Sequence, residues 1–93
     1  MSETLQTPAP RILIVEDDAE TAAMVAGIAR DLGCAPSLAT TLDEGRAMAA
    51  GDIAVIVLDR MLPGGDGVEA IAGLRAAGSR ALILVLSALG RAG

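Results

Sequence analysis

Three carboxylates and one hydroxyl stand at equivalent places in this chain. Glu16-Asp17 follows Ile12-Leu13-Ile14-Val15, Asp59 follows the apolar run from Ile53 to Leu58, and Ser87 follows the apolar run from Ala81 to Leu86. If those runs are neighbouring strands of a parallel sheet, their carboxyl ends converge where such sheets bind ligands. Three acids in one place repel one another unless a cation sits between them. An all-oxygen donor set with neither His nor Cys selects a hard cation, and Mg²⁺ is the natural candidate. A carboxylate beside Mg²⁺ is well placed to receive a phosphoryl group, because the metal offsets charge on the transferring oxygens while the carboxylate attacks as nucleophile.

Composition removes most other chemistries. The chain has no His and a single cysteine, Cys34, which argues against zinc sites and His-dependent nucleophiles. Twelve acidic residues against seven Arg, with no Lys and no aromatic residue, leave a net charge of −5. Such a surface lacks the phosphate contacts and stacking platforms of a nucleic-acid binder. No apolar run approaches the roughly 18 residues of a membrane span, and MSETLQTPAP has neither the basic start nor the apolar centre of a signal peptide. One cysteine allows no intrachain disulfide, so a cytoplasmic setting is expected.

The elements that must position the acids can be read from the pattern. With 53% apolar residues in 93, the chain is expected to fold as one domain. Residues 1–10 are polar, carry Pro8 and Pro10, and read as a flexible lead-in; residues 11–93 form the domain. Ile12–Val15 is a strand covered on both faces. Asp18 is an N-cap with Glu20 in the first helical turn. Thr21, Val25, Ile28 and Leu32 recur at helical spacing as one face, and Gly33 stops the helix. Cys34–Ala39 is a weaker strand, placed at a sheet edge by Pro36. Thr41-Leu42-Asp43-Glu44 is a capping box opening a second helix that ends near Gly51. Ile53–Leu58 is a buried strand, RMLPGGDG a loop, and a third helix runs from near Gly67 to Gly78 with Val68, Ile71 and Leu74 on one face. Ala81–Leu86 is the fourth strand. The alternation predicts an α/β fold: a doubly wound parallel sheet with helices on both faces.

The segments RILIVEDD, IVLDRMLPGGDG and ILVLSA, in this order and at this spacing, resemble the receiver domain of two-component response regulators from residue 11 to about residue 93. The resemblance implies the flavodoxin-like fold with strand order 2-1-3-4-5. It implies a phospho-acceptor module rather than an enzyme, taking phosphate from a sensor histidine kinase onto Asp59 with Mg²⁺. By the same carry-over Glu16 and Asp17 hold the metal, Asp17 and Asp59 are direct ligands, and Met61 adds its backbone carbonyl. Ser87 matches the hydroxyl that bonds a phosphoryl oxygen, and Ala88 the small residue beside it. The ending SALGRAG is similar to receivers that precede a winged-helix DNA-binding domain, which implies a role in transcription regulation.

The family pattern continues with a further helix, a fifth strand bearing an aromatic switch residue and preceded by a phosphate-pairing Lys, and a fifth helix. With no Lys and no aromatic residue, the chain is expected to be an incomplete receiver, three βα units plus the fourth strand, with impaired signalling. The fourth strand would then be an unprotected apolar edge, and a homodimer or higher oligomer is expected through it and the uncovered apolar faces. Two alternatives compete: a phosphorylation-dead self-association module, and a Mg²⁺-dependent phosphotransferase or hydrolase with an Asp nucleophile. The second would place another acid two residues after the nucleophile, where this chain has Met61. Among the remaining residues, Asp66 reads as a helix N-cap, Gly64, Gly65 and Gly67 as turn chemistry, Cys34 as a small buried hydrophobe, and Met24 and Met48 as core.

Overall fold

The structure is a computed structural model and describes residues 9–49, 51–59, 61–62, 65–76 and 78–86. The apolar runs form strands: β1 (Arg11–Val15), β2 (Ala35–Ala39), β3 (Val55–Asp59) and β6 (Leu82–Leu86), with helices α1 (Ala19–Asp31), α2 (Leu42–Met48) and α3 (Gly67–Ala76) between them. The four strands pair in parallel in the order β2-β1-β3-β6. This is the expected doubly wound sheet. Two short antiparallel strands, β4 (Met61–Leu62) and β5 (Gly65–Asp66), occupy the segment read from the sequence as a plain loop.

Each sheet face has its own apolar cluster, as strand alternation requires. Leu13, Val15, Ile56 and Leu58 pack with Leu42 and Ala49 at α2 and with Leu74 of α3. Ile14 and Val57 pack on the opposite face with Ala26 of α1. Leu13, Ile14, Val15, Ile56 and Leu58 are essentially inaccessible to solvent, so β1 and β3 are covered on both sides. β2 lies at the edge of this sheet, where Pro36 removes no needed ladder donor.

Some expectations are corrected. α1 packs the face Thr21, Val25, Ile28 and Leu32 only in part: Thr21 and Val25 are half-buried, with Val25 against the Ile14–Val57 cluster. The helix buries Ala22, Ala26 and Ala29, while Ile28 and Leu32 are 54% and 76% exposed. The small alanine face lets the helix lie close on the sheet, and the larger residues are left beside the contact line. Met24 and Met48, expected in the core, are exposed at 61% and 37%. Cys34 is only half-buried and precedes β2 instead of opening it. β3 begins at Val55 because Ile53 and Ala54 belong to the entry turn, where the Ala54 N–H donates to the Arg11 carbonyl at 2.9 Å. The boundaries of α1 are those read from the sequence, while α2 ends at Met48, short of Gly51. Asp18 caps α1, and Gly33 takes the left-handed conformation, φ 86°, just past its C-cap. No helix among the described residues is long and apolar enough to cross a membrane.

Candidate functional site

Parallel pairing of β1 and β3 sets Val15 opposite Leu58, so the residues that follow, Glu16 and Asp59, meet at the carboxyl edge. Asp17 joins them from the turn into α1. One carboxylate oxygen from each of Glu16, Asp17 and Asp59 lies within 4.8 Å of the others. The structure thus brings together the three acids singled out in the sequence. Glu16 is buried, Asp59 is half-buried and Asp17 is exposed, which makes an acidic recess open on one side.

Backbone geometry fixes Glu16. Its N–H donates to the Ala39 carbonyl of β2 at 2.9 Å, and its Oε2 accepts from the Asp18 N–H at 3.0 Å. Burial pushes the Glu16 carboxyl above its ordinary value of 4.5; the Asp18 N–H opposes this, and the nearby Asp59 and Asp17 carboxylates add to the rise. A carboxylate uncomfortable in its ionised form, with two acids beside it, is the environment a cation relieves. The donor set is all oxygen, with no imidazole and no thiolate, and it suits a hard divalent ion.

Asp18 and Thr21 form a support that sequence reading saw only in part. The sequence marks Asp18 as a cap, but it marks Thr21 only as part of a helix face. Thr21 instead directs both its N–H, at 2.9 Å, and its hydroxyl, at 2.6 Å, onto Asp18 Oδ2. The Asp-x-x-Thr spacing across a helix start was the available signal. Met61 lies in β4, next to the acidic edge in sequence. Ser87 and Ala88 lie outside the described residues, as do residues 1–8 of the lead-in.

The comparisons agree with this geometry. The family "Response regulator receiver domain" matches residues 12–92. The transcriptional regulatory protein TcrA of Mycobacterium tuberculosis is 40% identical over 83 residues, which cover 86% of this chain and 32% of TcrA. The chain therefore spans about a third of the length of the curated relatives it matches. A sensor protein from Polaromonas sp. JS666 superposes with a TM-score of 0.81 at 32% identity, over 90% of this chain and 70% of that one. The beryllofluoride-activated NtrC4 receiver domain, solved as a dimer, gives a TM-score of 0.74 at 30% identity, over 81% of this chain and 63% of its own. Sheet order, acidic edge and matched residues lead to one conclusion: the chain belongs to the response regulator receiver domain family and has its flavodoxin-like fold.

Proposed function

We propose that the chain is a phospho-acceptor module, with Asp59 taking a phosphoryl group from a sensor histidine kinase. The observation that carries this reading is the convergence of Glu16, Asp17 and Asp59, with carboxylate oxygens within 4.8 Å of one another, at the carboxyl edge of a parallel sheet. Glu16 and Asp17, with Asp59 itself and the Met61 carbonyl, are the residues that would hold Mg²⁺. Bound there, the ion would offset charge on the transferring oxygens. The Asp59 carboxylate attacks phosphorus, the phosphorus–nitrogen bond of the donor phosphohistidine breaks, and its electron pair returns to the imidazole. Ser87 is assigned the hydrogen bond to a phosphoryl oxygen. Stoichiometric transfer, not turnover, is the expected behaviour, and the setting proposed is cytoplasmic; a role in transcription regulation is proposed from the relative TcrA, a transcriptional regulatory protein. Met61, two residues beyond Asp59 where a hydrolase of this chemistry would carry a second acid, weighs against catalytic phosphomonoester cleavage.

Incubation with a small phosphodonor and Mg²⁺, read by intact mass, tests the proposal. One added phosphoryl group is expected on the wild type, and none on Asp59→Asn or with the metal chelated. Equal labelling of Asp59→Asn would refute it.

Self-association is a second reading, favoured by Leu82 and Leu84, which are 60% and 47% exposed on β6. Both lie on the face shared with Val57, and an apolar face of that kind is suited to pairing with a second copy. The NtrC4 receiver, a dimer when activated, supplies the precedent. Light scattering at micromolar concentration should give a dimer or larger species that Leu84→Glu shifts to monomer. A monomeric wild type would exclude it.

A further inference from the structure

We infer that Asp18, backed by Thr21, is a positioning residue for the Glu16 carboxylate, and that it tunes the affinity of the acidic recess for its cation. The inference rests on the reading of Glu16, Asp17 and Asp59 as a Mg²⁺-dependent acceptor site. Asp18 works in two directions. Its side-chain Oδ2 accepts from the Thr21 N–H and hydroxyl at 2.9 and 2.6 Å, while its own backbone N–H donates to Glu16 Oε2 at 3.0 Å. The forward bonds lock residue 18 at φ −84° and ψ 116°. That locked backbone aims the N–H back at Glu16.

The aim matters because of what surrounds Glu16. Its side chain has several rotatable bonds, it is only 5% exposed, and two like-charged carboxylates, Asp17 and Asp59, have oxygens within 4.8 Å of its own. Repulsion alone would swing it away from Asp17 and Asp59. The Asp18 N–H donates to that carboxylate at 3.0 Å and opposes the swing. A cation entering the recess therefore meets Glu16 already in place. Groups that orient ligands in this way, without touching the metal, commonly matter for affinity.

Three variants separate positioning from simple helix capping. Asp18→Ala removes the acceptor for Thr21, Asp18→Asn keeps an acceptor oxygen, and Thr21→Val removes only the hydroxyl. All three retain the backbone N–H at residue 18, so any effect on Glu16 acts through the conformation of that residue. Two readouts are taken on the folded protein: the Mg²⁺ dissociation constant by calorimetry, and hydrogen exchange of the residue-18 amide by NMR in metal-free buffer. Asp18→Ala should weaken Mg²⁺ binding about tenfold, the low end for such supporting groups because the donor itself survives. Its residue-18 amide should exchange faster by a similar factor. Thr21→Val should move both readouts in the same direction by less, and Asp18→Asn should restore them to near wild type. If Asp18→Ala lowers only the unfolding temperature and leaves both readouts unchanged, Asp18 is no more than a cap and the inference is wrong. If the wild type and Asp59→Asn bind Mg²⁺ equally, the acceptor-site reading itself falls, and the tuning of affinity falls with it. The metal-free exchange data then show separately whether Asp18 still holds Glu16.

Discussion

Glu16→Gln should make the metal-free protein more stable and the Mg²⁺-loaded protein less responsive. Gln keeps the length of the side chain and an oxygen for the Asp18 N–H, but it removes one of three charges gathered within 4.8 Å. Two unit charges at that separation repel by about 3 kcal/mol at an effective dielectric of 20 and by about 1 kcal/mol in bulk water. Glu16 is buried but Asp17 is exposed, so the relief should fall between these limits, at roughly 1–2 kcal/mol. At about 4–8 °C per kcal/mol for a domain near this size, the midpoint should rise by several degrees in chelator at neutral pH. The pH dependence gives an independent check of sign. Burial raises the folded-state value of Glu16 above its ordinary 4.5, so protonation favours the fold. Metal-free wild type should therefore gain stability as pH falls from neutral through the raised value toward 4.5, and Glu16→Gln should lack that gain. Saturating Mg²⁺ should reverse the order, because ligand at a hundred times its dissociation constant stabilises the wild type by about 2.7 kcal/mol and the variant by much less. With no Trp, Tyr or Phe in the chain, scanning calorimetry or far-ultraviolet circular dichroism is the assay. A lower midpoint for Glu16→Gln in chelator, or equal Mg²⁺ stabilisation of both proteins, would refute the reasoning.

Two further predictions concern α2. A Cβ at Gly45 would lie 2.9 and 3.3 Å from the two methyl carbons of the buried Val15, so Gly45→Ala overpacks the seam between helix and sheet. Overpacking of about 1–3 kcal/mol exceeds the gain of about 1 kcal/mol in helix propensity; the urea midpoint should fall at an unchanged slope, and a rise would count against the packing described. Glu44 accepts from the Thr40 N–H at 2.7 Å and the Thr40 hydroxyl at 3.0 Å, and these bonds hold its carboxyl below the ordinary 4.5. A depressed folded-state value stabilises above 4.5 and is lost as pH falls through it, so Glu44→Gln should flatten the acid side of the stability curve; parallel curves for the two proteins would contradict the assignment.

How much of this was legible in the sequence depends on how strongly each pattern excluded its alternatives. Ile12–Val15 and Val55–Leu58 are uninterrupted apolar runs ending in acids, so both the strands and the site at their ends could be read directly. α1 was ambiguous, because two stripes at helical spacing run along it. The stripe with Ile28 and Leu32 carries more apolar area, and the stripe with Ala22, Ala26 and Ala29 permits closer approach; the second is buried. Hydrophobicity weights the first, and only the distance between helix and sheet decides for the second. The cap at α2 was half legible. Thr41 accepts from the Glu44 N–H at 3.1 Å as a capping box requires, but the Glu44 carboxylate reaches one residue further back, to Thr40. The pair β4 and β5 left no trace in the pattern, since strands of two residues each have no period to detect.

Register joins the core to the chemistry. The acids meet because Val15 pairs with Leu58, and apolar alternation alone does not secure that pairing. A slip of one residue would turn Ile56 and Leu58 to the α1 face and Val57 to the other, which the two separate clusters forbid. A slip of two residues would preserve every face, yet it would displace Asp59 along the strand by about 7 Å, more than the 4.8 Å that spans the cluster. In the observed register the ladder continues past the strand ends. The Ala54 N–H on the Arg11 carbonyl pins the start of β3 to β1, the Leu82 N–H on the Ala54 carbonyl pins β6 to the same point, and the Glu16 N–H on the Ala39 carbonyl pins the end of β1 to β2. The apolar pattern thus decides which face each residue takes, and the pairing of Val15 with Leu58 sets where along the sheet the carboxylates come to rest.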